Sequence, residues 1–210
     1  MRVRVSPNAI QAMLLLGSIL AFTNPTIGVE PLEQEKEAVE SLRKLATNIQ
    51  FHKDGSVRFV RLSKAVVTNE SLLHLKRFEK IDYLAVICPQ VTDQGLEVVQ
   101  HLAELDTLVL SESGVTDDGL VYIASLGKLE RLYLDDVRST NEGLRHIAQL
   151  GELRVLSLAR TGITGTGIDA ISTLTKLETL LLAGTDLADD EWSASLSKLV
   201  ALRILDFSEC

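Results

Sequence analysis

A stretch of 24 residues, Leu105 to Lys128 (LDTLVLSESGVTDDGLVYIASLGK), recurs along most of this 210-residue chain. Its opening leucines at 105, 108 and 110 return 24 residues later at 129, 132 and 134, and again at 153, 156 and 158. The same pattern marks further copies, namely Val57, Val60, Leu62; Ile81, Leu84, Val86; Leu177, Leu180, Leu182; and Leu202, Leu205, Phe207. A period of this length predicts a stacked array, here with six full units and a partial seventh over residues 57–210.

Each unit combines two internal periods. Leu108 and Leu110 have the period of two that is typical of a strand, whereas Leu120, Ile123 and Leu126 recur every three residues, as on one face of a short helix. Thr116 or Asp117 suits the helix start, and Gly119 and its counterparts at 95, 143 and 167 indicate close backbone packing. One strand and one helix cannot bury their apolar sides alone, so stacking is required for a continuous core.

The unit LxxLxL…(V/I)T(D)xGLxx(I/V)…L resembles that of leucine-rich repeat proteins, in particular bacterial repeats and the cysteine-containing subfamily. The resemblance implies an α/β solenoid, a right-handed β-α superhelix with a parallel sheet on the concave face and helices on the convex face. That subfamily places a cysteine or asparagine three residues after the third apolar strand position. This chain has instead Ala65, Pro89, Ser113, Val137, Thr161 and Thr185, so a ladder at this turn should be weaker or built from hydroxyls.

Residues 29–56 predict an N-terminal cap made of a helix and a hairpin. Ala38, Leu42 and Leu45 share one helical face, and the nearby glutamates at 33, 35 and 37 are expected on a solvated face. Asp54-Gly55 between two alternating runs is a hairpin signal. The cap would cover the open edge of the first repeat, which would otherwise invite aggregation.

Residues 1–28 resemble a secretory signal peptide. Arg2 and Arg4 precede the apolar run MLLLGSILAF (13–22), and the small Gly28 would permit cleavage after it. The run is short for a membrane span, which needs about 20 residues. An uncleaved anchor and a disordered leader are the alternatives. We therefore expect an exported chain, secreted or held in the cell envelope, with no membrane span once the leader is removed.

The net charge narrows the class of partner that the chain can bind. With 21 basic and 29 acidic residues the chain carries a net charge of −8, which disfavours nucleic acid and anionic membranes as partners.

The two cysteines, Cys88 and Cys210, lie five strands apart in the repeat frame, or about 24 Å at ~4.8 Å per strand. A disulfide tolerates only ~7 Å between Cα atoms, so no intrachain bridge is expected. Cys210 could pair between chains, although a monomer is the expectation.

The candidate binding residues lie on the sheet face that points away from the core. Since strand side chains alternate, the third, fifth and seventh residues of each unit form columns on that face. Tyrosine and arginine are enriched at binding hot spots. The predicted contacts are Phe59, Arg61, Tyr83, Arg131, Tyr133 and Asp135. They could also be ordinary strand-favouring residues.

The preferred hypothesis is a non-enzymatic module that binds a protein or peptide on its concave sheet. No cofactor, metal site or catalytic residue is predicted, because the four histidines do not converge and no HExxH, cysteine pair or G-x-S-x-G occurs. An intracellular adaptor that resembles F-box-type repeat proteins is one alternative. An enzyme using the acidic cluster Glu112, Asp135 and Asp136 is another.

Overall fold

The computed structural model describes residues 29–46, 48–187 and 192–210. Their strands form one eight-stranded sheet in chain order. The strands are β1 (Asn48–Phe51), β2 (Val57–Leu62), β3 (Tyr83–Val86), β4 (Thr107–Val109), β5 (Arg131–Tyr133), β6 (Val155–Ser157), β7 (Thr179–Leu181) and β8 (Ile204–Asp206). β1 is antiparallel to β2, and all later pairs are parallel. The predicted parallel solenoid is confirmed. The expected signal peptide lies outside the described residues.

Short helices connect successive parallel strands. After the capping helix α1 (Lys36–Leu45) come α2 (Asn69–Leu72), α3 (Asp93–Leu96), α4 (Asp117–Leu120), α5 (Asn141–Ile147), α6 (Gly165–Ile171) and α7 (Trp192–Leu196). Helices α2 and α3 continue as 3₁₀ turns over Leu73–Arg77 and Glu97–His101. Helices this short are not stable alone, so the array depends on packing between units.

The core is a set of leucine columns that run through the stack. Leu108 pairs in register with Leu132, and Leu132 with Leu156. All three side chains are fully buried. Because burial of one leucine contributes roughly 1.5–3 kcal/mol, each such column is a large source of stabilisation. This is the arrangement that the 24-residue period predicts.

Glu35, the residue before α1, links the cap to the first repeat strand. The Glu35 carboxylate accepts a hydrogen bond from the Val57 N–H at 2.9 Å, and Glu35 is only 3% exposed. The expectation that Glu35 belongs to a solvated face was therefore wrong, although Glu33 and Glu37 are exposed. Burial raises the pKa of Glu35, while the hydrogen bond from Val57 opposes that shift.

The predicted hairpin is present between β1 and β2. Gly55 in its turn has φ +87, and its carbonyl accepts from the Leu32 N–H at 3.1 Å. A side chain at this position would meet the Glu30 carbonyl oxygen at 2.5 Å. The turn thus needs glycine both for its backbone conformation and for its contact with the segment that leads into α1.

A ladder of Asp and Asn side chains joins each helix start to the next. The first helical residue of one unit accepts a hydrogen bond from the backbone N–H of the threonine that precedes the helix of the following unit. The pairs are Asn69 with Thr92 (2.9 Å), Asp93 with Thr116 (2.7 Å), Asp117 with Thr140 (2.7 Å) and Asn141 with Thr164 (3.0 Å). The threonine–aspartate pairs, expected to act as local helix caps, therefore also hold neighbouring units together.

The ladder explains the repeated glycine and the serine that replaces it in the first unit. A Cβ at Gly95 would lie 2.6 Å from Asn69 Oδ1, and Gly119, Gly143 and Gly167 face the same obstruction. The first unit has no ladder residue before it and carries Ser71 at the glycine position. There the Ser71 hydroxyl accepts from the Thr68 N–H at 3.1 Å, which satisfies the donor that a preceding unit would otherwise have bound.

The turn after each strand uses hydroxyls in two units, as the sequence predicts. Thr161 and Thr185 each donate to the carbonyl three residues earlier at 2.6 Å. The hydroxyl of Ser113 at the equivalent position is buried without a hydrogen-bond partner among the described residues. Just before this position Glu112, Asp136, Arg160 and Glu209 have φ between 55 and 62, a conformation that favours glycine.

Candidate binding face

The outer sheet face, defined here as the strand residues that point away from the helices, has the predicted columns. Strand register aligns Phe59, Tyr83, Thr107, Arg131, Val155 and Thr179 in one column, and Arg61, Ala85, Val109, Tyr133, Ser157 and Leu181 in the next. The large and charged members lie on β2 to β5. The members on β6 and β7 are small or aliphatic. Any ligand of this face would therefore meet two chemically different halves.

Phe59 supports its neighbour and presents almost no surface of its own. Its ring stacks on that of Tyr83, with centroids 4.3 Å apart and planes 13° apart, and only 2% of the residue is exposed. Phe59 pairs in register with Tyr83, as expected for members of one column. Because the ring is covered and stacked on Tyr83, Phe59 offers little surface for direct contact with a ligand.

Arg131 is held by groups at the start of its own and the preceding strand. Its Nε donates to Thr107 Oγ1 at 2.8 Å, and its Nη2 to Asp106 Oδ1 at 2.7 Å. Nη1 lies 3.6 Å from a Glu130 carboxylate oxygen. The guanidinium is half-buried, so Arg131 has a fixed position and its charge is largely balanced by these two acids.

Asp135 is buried, contrary to the expectation that it is available on the face. It is 7% exposed and accepts hydrogen bonds from the Ser157 hydroxyl, from the Ala159 N–H at 2.9 Å and from the Ser111 hydroxyl at 3.3 Å. Burial raises the pKa of this carboxyl above its ordinary value, and the hydrogen bonds from Ser157 and Ala159 oppose the shift. Asp135 thus joins three adjacent units. Sequence reasoning missed this role because no local motif marks a residue whose partners lie 22 to 24 positions away.

Tyr83 and Tyr133 are the partly exposed aromatic residues of the face. Burial raises the pKa of both phenols, and the charges of Arg61 and Arg131 act in the opposite direction on Tyr83. At Tyr133 the charge of Arg131 opposes the rise in pKa that burial causes, whereas Tyr83 and Asp135 add to it. Neither hydroxyl has a hydrogen-bond partner among the described residues, whereas the carboxylates and guanidinium around them are engaged.

Two of the acidic residues considered for catalysis, Asp135 and Asp136, are each held in hydrogen bonds with other residues of the protein. Asp135 is buried as described, and Asp136 receives two hydrogen bonds from Arg160, the Nε contact at 2.8 Å. Within the described residues no group of His, Cys, Asp and Glu has the arrangement of a metal site. Asp135 and Asp136 thus bind residues of the following unit.

Both cysteines are free thiols. Cys88 is buried, its Sγ donates to the Leu62 carbonyl at 3.3 Å, and burial raises its pKa to about 11. Cys210 is exposed, with its Sγ 3.1 Å from the Leu182 carbonyl. The expected absence of a bridge between them agrees with their separation by five strands. No helix in the described part of the chain has the length and apolar character of a membrane span.

Solved structures of a bacterial and a plant protein have an architecture similar to that of this chain. Internalin C2 from Listeria monocytogenes superposes with a TM-score of 0.60 at 19% identity, covering 89% of this chain and 88% of that one. The Arabidopsis receptor kinase HAESA, solved with the peptide hormone IDA and the co-receptor SERK1, gives 0.64 at 15% identity over 85% of this chain and 34% of its own. PEPR1-AtPEP1 gives 0.55 at 17% identity, covering 83% of this chain and 28% of that one.

The chain therefore spans about a third of these two longer structures. No family model matches the sequence, and no curated protein matches it. At these identities the likeness concerns the fold.

Proposed function

We propose that this chain, a leucine-rich repeat protein by its fold, is a non-enzymatic module that binds an extended protein or peptide segment on its outer sheet face. The observation that carries the proposal is the pair Tyr83 and Tyr133. Both are half-buried tyrosines on neighbouring parts of one sheet, and their hydroxyls have no partner among the described residues. Unpaired polar tips on fixed aromatic rings are typical of binding surfaces.

The predicted contact residues divide into two roles. Tyr83 and Tyr133, whose hydroxyls have no hydrogen-bond partner among the described residues, are proposed to touch the partner, and Arg61 is a further contact residue predicted on the same face. Phe59, Arg131 and Asp135 are proposed to hold them in place, because the first is covered and the others are bound to residues of adjacent strands. A surface whose side chains are already fixed loses little conformational entropy when a partner binds.

Complexes of similar architecture support the class of partner. The HAESA structure contains the peptide hormone IDA together with the co-receptor SERK1, and the PEPR1 structure contains AtPEP1. We infer for this chain only the general mode, a protein or peptide on the repeat array. Its acidic net charge disfavours nucleic acid as the partner. The module is proposed to act as a monomer without a cofactor.

Export is proposed from the leader at 1–28. The basic start and the apolar run at 13–22 support a signal peptide, and the bacterial character rests on the likeness of the repeat to bacterial units. Mass spectrometry of the product from a secreting host tests this directly. A mature chain beginning at Val29 is expected, and an intact leader in the cytoplasmic fraction would contradict it.

The binding proposal is tested by affinity capture from the extracytoplasmic fraction of the source cells. The double variant Tyr83→Ser/Tyr133→Ser should lose a partner that the wild-type chain retains. Val121→Ser is the matched control, because Val121 is an exposed apolar residue on the helix side. Circular dichroism must show that all three proteins are folded. Retention of the same partners by the double variant would overturn the proposal.

A further inference from the structure

Tyr83 and Tyr133 lie diagonally across a part of the outer sheet face that is made of smaller side chains. In the strand register Thr107 pairs with Tyr83, and Val109 lies between Ala85 and Tyr133. Ala85 and Thr107 are short and buried, and Val109 is half-buried. Two larger aromatic side chains thus flank a floor of small side chains.

The spacing of the two tyrosines suits an extended segment of a few residues. They are two strands apart and two residues apart along the strand direction, so their Cα atoms are separated by about 12 Å. A polyproline II helix rises ~3.1 Å per residue, so about four residues cover this separation. The Tyr83 ring is stacked on Phe59, which fixes one end of the site before a ligand binds.

The floor between the tyrosines offers a ligand few hydrogen-bonding groups. Strands β3, β4 and β5 each have a paired strand on both sides, so their backbone N–H and C=O groups are used within the sheet. The Thr107 hydroxyl accepts from Arg131, and the Asp135 carboxylate accepts from Ala159. The phenol hydroxyls of the two tyrosines, in contrast, have no hydrogen-bond partner in the part of the chain that the structure describes.

We propose that Tyr83 and Tyr133 bind a proline-rich segment of the partner in the polyproline II conformation, each phenol donating to a main-chain carbonyl. This inference rests on the proposed function and specifies the chemistry of its ligand. An ordinary extended segment brings one N–H per residue, and an N–H turned toward this floor would be buried without an acceptor, which is unfavourable. Proline has no N–H, and its fixed φ reduces the conformational entropy lost on binding. Aromatic-lined grooves are general sites for such segments.

The chain contains three tyrosines, which makes the test direct. Biosynthetic labelling of the whole chain with 3-fluorotyrosine yields one ¹⁹F resonance each for Tyr83, Tyr133 and Tyr122. Tyr122 follows helix α4 and packs against the core, so it is an internal reference. The probe is N-acetyl-hexaproline amide. Its matched control is an N-acetylated alternating alanine–serine hexapeptide amide, which is equally uncharged but carries an N–H at every residue. N-acetyl-diproline amide is the length control.

Saturable shifts of the Tyr83 and Tyr133 resonances with hexaproline are expected, with the Tyr122 resonance unmoved. The alanine–serine peptide should bind about tenfold more weakly, because its N–H groups are left unpaired on the floor. Diproline should also bind about tenfold more weakly, since it is too short to contact both tyrosines at once. Tyr133→Phe, which keeps the ring, should weaken hexaproline binding about two- to tenfold through loss of one hydrogen bond. Tyr122→Phe is the matched variant and should leave the affinity unchanged.

Equal affinity for the two hexapeptides, or no shift of either tyrosine with hexaproline, overturns the proposal of a proline-rich segment. An unchanged hexaproline affinity in Tyr133→Phe overturns the role given to the phenol hydroxyl. The broader binding function has an independent readout in the affinity capture described above. If hexaproline fails to bind while Tyr83→Ser/Tyr133→Ser still loses a captured partner, the proline-rich segment is rejected and the outer sheet face remains the binding surface.

Discussion

Asp117 and Thr140, 23 positions apart in the sequence, are joined by two hydrogen bonds. Asp117 Oδ1 accepts from the Thr140 backbone N–H at 2.7 Å, and Oδ2 accepts from the Thr140 hydroxyl at 2.6 Å. Both donors belong to the start of the next helix, α5. One carboxylate thus satisfies an otherwise open backbone group and fixes the spacing of two units.

Asp117→Ala should lower the free energy of unfolding by about 1–2 kcal/mol, since it leaves the Thr140 N–H without its acceptor. Asp117→Asn is the matched control, because Asn69 and Asn141 make the same contact in other units through Oδ1 and donate through Nδ2. Chemical denaturation of both variants measures the effect. Equal losses in the two variants would show that the ladder contact is not what stabilises the helix start.

Gly143→Ala should destabilise the chain by about 1–3 kcal/mol, the usual cost of overpacking. The added Cβ would lie 2.6 Å from Leu120 Cδ1 and closer still to Asp117 Oδ1. Gly127→Ala is the control, because a Cβ there meets nothing within 4 Å. Thermal unfolding should separate the two variants clearly. Similar melting temperatures would contradict the close-packing role of the repeated glycine.

Ser139→Val should raise the free energy of unfolding by about 1 kcal/mol. Ser139 is 1% exposed, and its hydroxyl has no hydrogen-bond partner among the described residues. The equivalent residues in other units are apolar and buried, as Val115 and Ile163 show. Denaturant titration against wild type and Ser139→Ala measures the gain. A loss of stability with valine would mean that the site lacks room for the added methyl groups.

Asp135→Asn should raise the stability at neutral pH by about 1 kcal/mol, since a buried charge is removed while an oxygen remains for the Ala159 N–H. The pKa of Asp135 is raised in the folded chain, so folding binds this proton more tightly. The stability that this protonation contributes is fully present below the unfolded pKa of about 3.9, and it is lost as the pH rises through the pKa of the folded chain.

The pH profile of the Asp135→Asn variant should therefore lack this loss, which denaturation across the acidic range would show. Asp135→Ala is expected to lose about 2–3 kcal/mol at every pH, because the donors of Ser157 and Ala159 are then unsatisfied. A stability difference between Asp135→Asn and wild type that does not grow as the pH rises through this range would oppose the assignment to Asp135.

The fold was largely predictable because its signal is repeated. Leu108, Leu132 and Leu156 recur at one interval, and only a stacked register buries all of them. The same period predicts that Tyr83 and Arg131 share one column, since they are 48 residues, or two repeats of 24, apart. Alternation along a strand is a local property, so sequence alone could assign the face on which each side chain lies.

The state of each side chain on that face was decided by tertiary structure. Glu35 and Asp135 were expected in solvent, yet both are buried, because their hydrogen-bond donors come from residues 22 or 24 positions away. The ladder aspartates were recognisable as helix-start residues, but their partners lie in the next unit. Periodicity determines which residues stack, since it reports the backbone repeat. Charge, burial and hydrogen bonding depend on side chains that only stacking brings together, and so only the folded array could separate the residues that hold the face from those proposed to bind.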